Sequence, residues 1–379
     1  MDIILLLFLT LLGILTIYLS KVKDLVIAVL ITSLISLFCA VIYVFVGALD
    51  VAFTEIAVGA GVSTVLFLIT LKITKSYDIT GIQASTKYQN TKFTKFAYFI
   101  VLGGLAAIFF YSLIYIPPFG APTNPAHNEN YVTYIQESYN TYKVQNIITM
   151  ILGSFRGYDT LGETTVVLIA AIGVYLILKS SRERKSEKSN GSKNVLAKSQ
   201  EIQELSNSQN NTVSQSVSKH VIMPNSEFVR TISSDNKDHL SQSESVLTAA
   251  TFCLLPLLIL YGFYVQFHGD FGPGGGFQAG VILSVSYILL TIFFGYPVAN
   301  VFLKINFLLF LVSLGVLLYM GVGFLTLILG GGFLDYYMLG KDVASSYHYG
   351  LFLIELGVGI TVFSAMAIII GQFYSKLKA

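Results

Sequence analysis

The feature that most constrains this chain is a recurring apolar run about as long as a membrane is thick. A helix needs roughly 20 apolar residues to cross the hydrocarbon core. Runs near that length extend from Ile3 to Ser20, Leu25 to Ala48, Val51 to Ile73, Phe96 to Ile116 and Leu161 to Leu178. After a polar interval, four more extend from Leu247 to Phe267, Phe277 to Phe294, Ile305 to Leu329 and Leu351 to Ile370. In lipid every backbone amide must find its partner within the segment, so such runs form helices. Composition agrees, with 54% hydrophobic and only 12% charged residues. The expected fold is an all-α polytopic membrane protein of about nine transmembrane helices, five followed by four.

The basic residues orient these helices, because cytoplasmic loops collect Lys and Arg. With the amino terminus outside and the carboxyl terminus inside, 20 of the 23 basic residues fall on the inner side. Only Lys143, Arg156 and Lys341 remain outside. A miscounted helix would invert every later loop and scatter this asymmetry. The net charge of +2 gives no reason to expect a nucleic-acid partner. The first apolar run follows Met1-Asp2 without the basic leader of a cleaved signal, so it is expected to be retained.

Residues 180–245 depart from the pattern, being rich in Ser, Asn, Gln, Lys and Glu with few aromatic residues. Such a composition cannot offset the entropy of ordering, so a disordered cytoplasmic linker between the two groups of helices is expected. The outer loop from Pro117 to Lys143 is Tyr-rich and expected to pack on the outer face. Val144 to Leu152, about nine residues, is too short to span and reads as re-entrant or interfacial.

Ionisable groups inside helices are costly and are therefore functional candidates. Glu55 lies about one turn into its span, with Gly59 one turn further on the same face and Gly61 beyond; it serves either an ion path or an interhelical contact. Glu355 stands similarly in the last span, with Gly359 four residues on, and has the same two readings. Arg156, Asp159 and Glu163 form a charged group at the start of the fifth run. Thr160 and Glu163 also have the spacing of a capping box. His268 and Asp270 sit in a corner completed by Pro273, Gly274, Gly275 and Gly276, whose glycines permit unusual backbone angles and close approach. That corner lacks the signature of a nucleotide-binding loop. Cys39 and Cys253 lie singly in apolar runs and offer neither a metal site nor a disulfide framework. No metal, cofactor or catalytic centre is expected.

Four stretches resemble three parts of known families. Asp50-Val-Ala-Phe-Thr-Glu-Ile-Ala-Val-Gly-Ala-Gly resembles the small three-helix domain ending the large A subunit of Mrp antiporters, which is a separate D subunit in membrane-bound hydrogenases. Phe155-Arg-Gly-Tyr-Asp-Thr-Leu-Gly-Glu-Thr resembles the E-subunit element that follows it. His268-Gly-Asp with Pro273-Gly-Gly-Gly-Phe277, and Gly350-Leu-Phe-Leu-Ile-Glu355, resemble the antiporter's B subunit (MnhB or MrpB), although Asp270 stands where His is more usual. The resemblance implies a D-like domain over residues 1–95, an E-like domain over 96–179 and a B-like domain over 246–379. It further implies a multi-pass plasma-membrane subunit, not an enzyme, of a complex exchanging Na+ for H+, with large antiporter-like subunits and membrane lipid as partners. The helix-buried lysines of those large subunits have no match here. The alternative is the same module in a membrane-bound hydrogenase or another redox-driven pump.

Overall fold

In a computed structural model, residues 2–74, 92–118, 121, 124, 131–180 and 227–377 are described. The long helices are α1 (Asp2–Leu19), α2 (Leu25–Val46), α3 (Leu49–Thr74), α4 (Lys92–Leu113) and α5 (Gly157–Ser180), followed by α6 (Glu227–His268), α7 (Gly276–Phe293), α8 (Ile305–Ile328) and α9 (Val343–Leu377). Among the described residues, eight helices are long and apolar enough to cross a membrane. The apolar part of α1, Ile3–Leu19, is shorter.

Local chemistry sets several boundaries. Asp24 caps α2 by accepting from Val26 N at 2.8 Å, and Gly47 ends the helix in the left-handed region with φ 85°. The middle of α3, Glu55–Val62, winds as a π-helix, a form that recurs where a helix serves a function. Most of the linker expected at 180–245 lies outside the described residues. Its last part departs from expectation, since residues 227–245 form the first turns of α6. No Gly or Pro interrupts the chain from Glu227 to Leu255, so nothing in this stretch breaks the helix before Pro256.

The last helix also starts earlier than its apolar run, at Val343. Asp342 sits just before it and accepts from Ser345 N at 3.3 Å. The added turns bring His348 onto α9.

Helix α9 is the axis of the fold and packs on α7, α8 and α3. Its approach to α7 depends on the absence of side chains. A Cβ on Gly280 would lie 2.7 Å from the Gly359 carbonyl oxygen and 3.1 Å from Phe363 N. Small residues at such crossings let backbones meet where lipid offers no hydrophobic drive between helices.

One core joins the two halves of the chain. Val62 and Ile69 of α3 and Val144 and Met150 cluster with Val281, Tyr319, Leu351 and Val362. Ala171 of α5 packs separately with Tyr287, Leu308 and Ile368. The first and second groups of helices are thus packed together as well as joined through the intervening segment. By contrast, residues 96–118, including most of α4, are exposed throughout.

Candidate functional site

The expected re-entrant segment is a short half-helix, Ile147–Met150, continued by a π-helical turn, Ile151–Phe155. Its start is organised by Asn146, whose Oδ1 accepts from Ile148 N at 3.0 Å. The same side chain donates from Nδ2 to the carbonyl oxygens of Gly269, at 2.9 Å, and Gly272, at 2.8 Å. A carboxamide carries both an acceptor and two donors, so one Asn can cap a helix and hold a loop. Thr149 adds a hydroxyl bond to Gly269 O at 2.8 Å. The glycine corner between α6 and α7 is therefore fastened to the half-helix rather than left as a free turn.

Around this corner lie three carboxylates from three parts of the chain. Asp50, in the first turn of α3, accepts from Gly274 N at 3.1 Å and is buried. Glu355 of α9 reaches the corner from the other side. A Cβ on Gly269 would stand 2.6 Å from its Oε2, and one on Gly275 would stand 3.0 Å from its Oε1. Gly275 also has φ 119°, a conformation that favours glycine. Glycine at these positions leaves room for the Glu355 carboxylate. Asp270, the third, lies with Asp50 within electrostatic range of Glu355, and Thr149 lies within its hydrogen-bonding reach.

Asp270 Oδ2 lies 2.9 Å from Nδ1 of His348. Its Oδ1 is buried without a hydrogen-bond partner among the described residues. Burial pushes the Asp270 carboxyl above its ordinary value, and the contact with His348 opposes that shift only in part. His348 and Glu355 are seven residues apart on one helix, about 10 Å along its axis.

A cavity of about 280 Å³ opens beside the corner, lined by Asp50, Glu163, Glu355, Thr149, Thr160 and Gln278 among others. Carboxylates, hydroxyls and an amide thus face one space among membrane helices. Such a set can hold a proton, water or a hydrated cation, and carboxylates confined together favour a shared proton or a counter-ion. Among the described residues, no group of three or more His, Cys, Asp and Glu side chains could hold a metal ion.

The other sequence candidates lie as follows. Glu55 faces α2, where a Cβ on Gly59 would lie 2.7 Å from its Oε1 and 2.5 Å from Ser36 Oγ. It does not line the cavity. Gly61 has ordinary space, 3.4 Å to the nearest atom. Arg156 and Asp159 form an exposed ion pair at 2.5 Å, a kind of contact that contributes little to stability. Glu163 stands at the cavity, apart from that pair. The expected capping box is not formed. Helix α5 begins at Gly157, so Thr160 already lies inside it, and its hydroxyl donates to Leu152 O at 2.8 Å. His268 stacks on Tyr264 with ring centroids 4.9 Å apart, while the partner of Asp270 is His348. Pro273 stays in the corner as part of its turn. Sequence reasoning did not single out Asn146, Thr149 and His348 as site residues, and it treated Asp50 only as part of a motif.

These features define an all-α, multi-pass membrane protein with a carboxylate-lined cavity where a half-helix, a glycine corner and the spanning helices α3, α5 and α9 converge. Family models identify its parts: residues 10–76 match MbhD, the D subunit of MBH, residues 97–194 match MbhE, the E subunit of MBH, and residues 246–368 match the domain related to the MnhB subunit of Na+/H+ antiporter. The chain is an MnhB-related module fused to MbhD- and MbhE-type domains. It is 28% identical over 130 residues to the B subunit of the Na+/H+ antiporter of Bacillus subtilis (strain 168), covering 32% of this chain and 90% of that protein. It is 27% identical over 173 residues to the A1 subunit of the Na+/H+ antiporter of Staphylococcus saprophyticus, covering 46% of this chain but only 20% of that protein. A chain in the structure of the Mrp complex from Dietzia sp. DQ12-45-1b shares the fold, with TM-score 0.61 at 18% identity, over 96% of this chain and 34% of that one.

Proposed function

We propose that this chain is a plasma-membrane subunit of a Na+/H+ antiporter complex and that its carboxylate cavity forms part of the ion path. The observation that carries this reading is the meeting of Asp50, Glu163 and Glu355 in one cavity. Asp50 and Glu163 come from the MbhD- and MbhE-matched segments, and Glu355 from the MnhB-related one. Membrane carboxylates facing a polar space are costly, and proton relays are a use that warrants the cost. His348 and Asp270 provide a titratable approach to Glu355, and Asp50 and Glu163 continue from it across the cavity. Glu55, beside Ser36, adds a polar point between α2 and α3. The fused domains bring these groups together in a fixed geometry, while large antiporter-like subunits act as partners and supply the central lysines absent here. The asymmetry of basic residues supports an orientation with the amino terminus outside and the carboxyl terminus inside.

The test is cation-dependent proton exchange in inverted vesicles, normalised to assembled complex. Glu355→Gln keeps size and hydrogen bonding but removes proton exchange at that atom, so it should assemble and lose most activity, with Glu355→Asp retaining part. Full normalised activity in Glu355→Gln would remove Glu355 from the path. The MbhD and MbhE matches favour a second reading, the same module within a hydrogenase or related redox-driven pump. Recovery of Cys-rich iron-sulfur subunits with the tagged chain would select that reading.

A further inference from the structure

We infer that Asn146 positions Asp50 and Glu355 for exchange by locking the glycine corner onto the half-helix, a role that rests on the ion-path reading above. Asn146 is only 8% exposed and does not line the carboxylate cavity. Any part it takes in exchange therefore runs through groups that do.

The sequence of the corner gives it little stiffness of its own. Five of the eight residues from Gly269 to Gly276 are glycine, the residue that loses most conformational freedom on ordering. Yet the same corner sets the surroundings of two acids. The Glu355 carboxylate packs against Gly269 and Gly275, and Asp50 accepts from Gly274 N at 3.1 Å. A shift of the corner therefore disturbs both at once.

Asn146 holds the corner by three carbonyl oxygens. Its Nδ2 donates to Gly269 O and Gly272 O, and its backbone N donates to Asp270 O at 3.0 Å. The side chain also lies within hydrogen-bonding reach of Asp50. Its remaining polar atoms serve the half-helix, with Oδ1 accepting from Ile148 N and Thr149 N and the carbonyl oxygen accepting from Met150 N at 3.2 Å. The carboxamide thus has one orientation, because turning it over would set donor against donor and oxygen against oxygen. The simpler role is an N-cap for the half-helix. Capping needs only an acceptor, which Ser and Asp supply about as well as Asn. Donating to two carbonyls at once needs the NH2 group, which neither Ser nor Asp has. An ionised Asp would face both carbonyl oxygens without a proton between them, and a protonated one would serve only one of them.

Capping and locking therefore come apart in Asn146→Asp and Asn146→Ser, which keep the first and lose the second. Amide hydrogen exchange of the purified full chain, read by mass spectrometry, should be roughly tenfold faster over residues 268–276 in both variants, as expected for loss of two hydrogen bonds. Residues 147–155 should keep the parent's rate. Cation-dependent proton exchange in inverted vesicles, per assembled complex, should fall about ten- to hundredfold in both, the scale of loss when reacting groups are misplaced by roughly 1 Å. The uncharged Ser variant separates the lost donor from the charge that Asp adds. Proton exchange at the parent's level in either variant overturns the inference. So does faster amide exchange confined to residues 147–155, which would make Asn146 a cap, or loss of assembled complex in both variants, which would make it a folding residue. Glu355→Gln tells the two failures apart: its loss of exchange beside intact Asn146 variants removes the positioning role alone, whereas full exchange there too removes the ion-path reading.

Discussion

The close crossing of α7 and α9 gives a prediction whose size follows from geometry. In Gly280→Ala the new Cβ would stand 2.7 Å from the Gly359 carbonyl oxygen, 2.9 Å from Val362 Cβ and 3.1 Å from Phe363 N. Relaxed carbon contacts lie at about 3.5–4.0 Å, so the helices must separate by several tenths of an ångström or more. Two of the three contacts are with backbone atoms, which cannot rotate aside. Overpacking of this kind costs roughly 1–3 kcal/mol, and the better helix propensity of Ala returns up to about 1 kcal/mol. A net loss of about 1–2 kcal/mol follows. Gly321 of α8 is the control, because a Cβ there meets nothing within 4 Å. Thermal unfolding in detergent should show Gly280→Ala below the parent and Gly321→Ala level with it or above. Glu355 lies one turn from Gly359, so Gly280→Ala should also lower proton exchange per assembled complex. Equal stability of the two variants would refute the close-approach argument.

Asp270→Asn tests the cost of burying that carboxyl. A carboxyl raised above its ordinary value favours folding below the unfolded pKa and loses that contribution as pH rises through the folded one; Asp270 is raised in this sense. Asp270→Asn should therefore gain stability relative to the parent at neutral pH, with the gain shrinking toward about pH 4 in pH-dependent unfolding. Tyr336→Phe removes the hydroxyl that donates to Gly153 O at 2.5 Å in a buried contact. It should cost about 1–3 kcal/mol by leaving that carbonyl unsatisfied, seen as less assembled protein in detergent extracts.

The lengths and spacing of the helices were legible because a 20-residue apolar run has few alternatives in lipid. The site was legible only in part. Glu163, Asp270 and Glu355 stood out as charges beside or within apolar runs. Asp50 looked like an ordinary acidic residue at a helix start, and only the fold shows Gly274 N bound to it. His348 fell outside the last apolar run, since Tyr347, His348 and Tyr349 carry little apolar signal, yet α9 begins five residues before it. Thr160 and Glu163 have capping-box spacing, but helix start depends on where the preceding π-helical turn stops. That turn ends at Arg156, and α5 restarts at once. Asn146 is unremarkable by composition, because its partners Gly269 and Gly272 lie more than 120 residues away.

The most direct test of a path shared between the two halves of the chain is a double-mutant cycle on Asp50 and Glu355. Cation-dependent proton exchange is measured in inverted vesicles for Asp50→Asn, Glu355→Gln and the pair, each normalised to assembled complex. Residues acting as one unit are strongly non-additive. Each single variant should lose most of the exchange, and the pair should lose little more than either alone. Losses that multiply, or normal exchange in either single variant, would contradict a common path through the cavity.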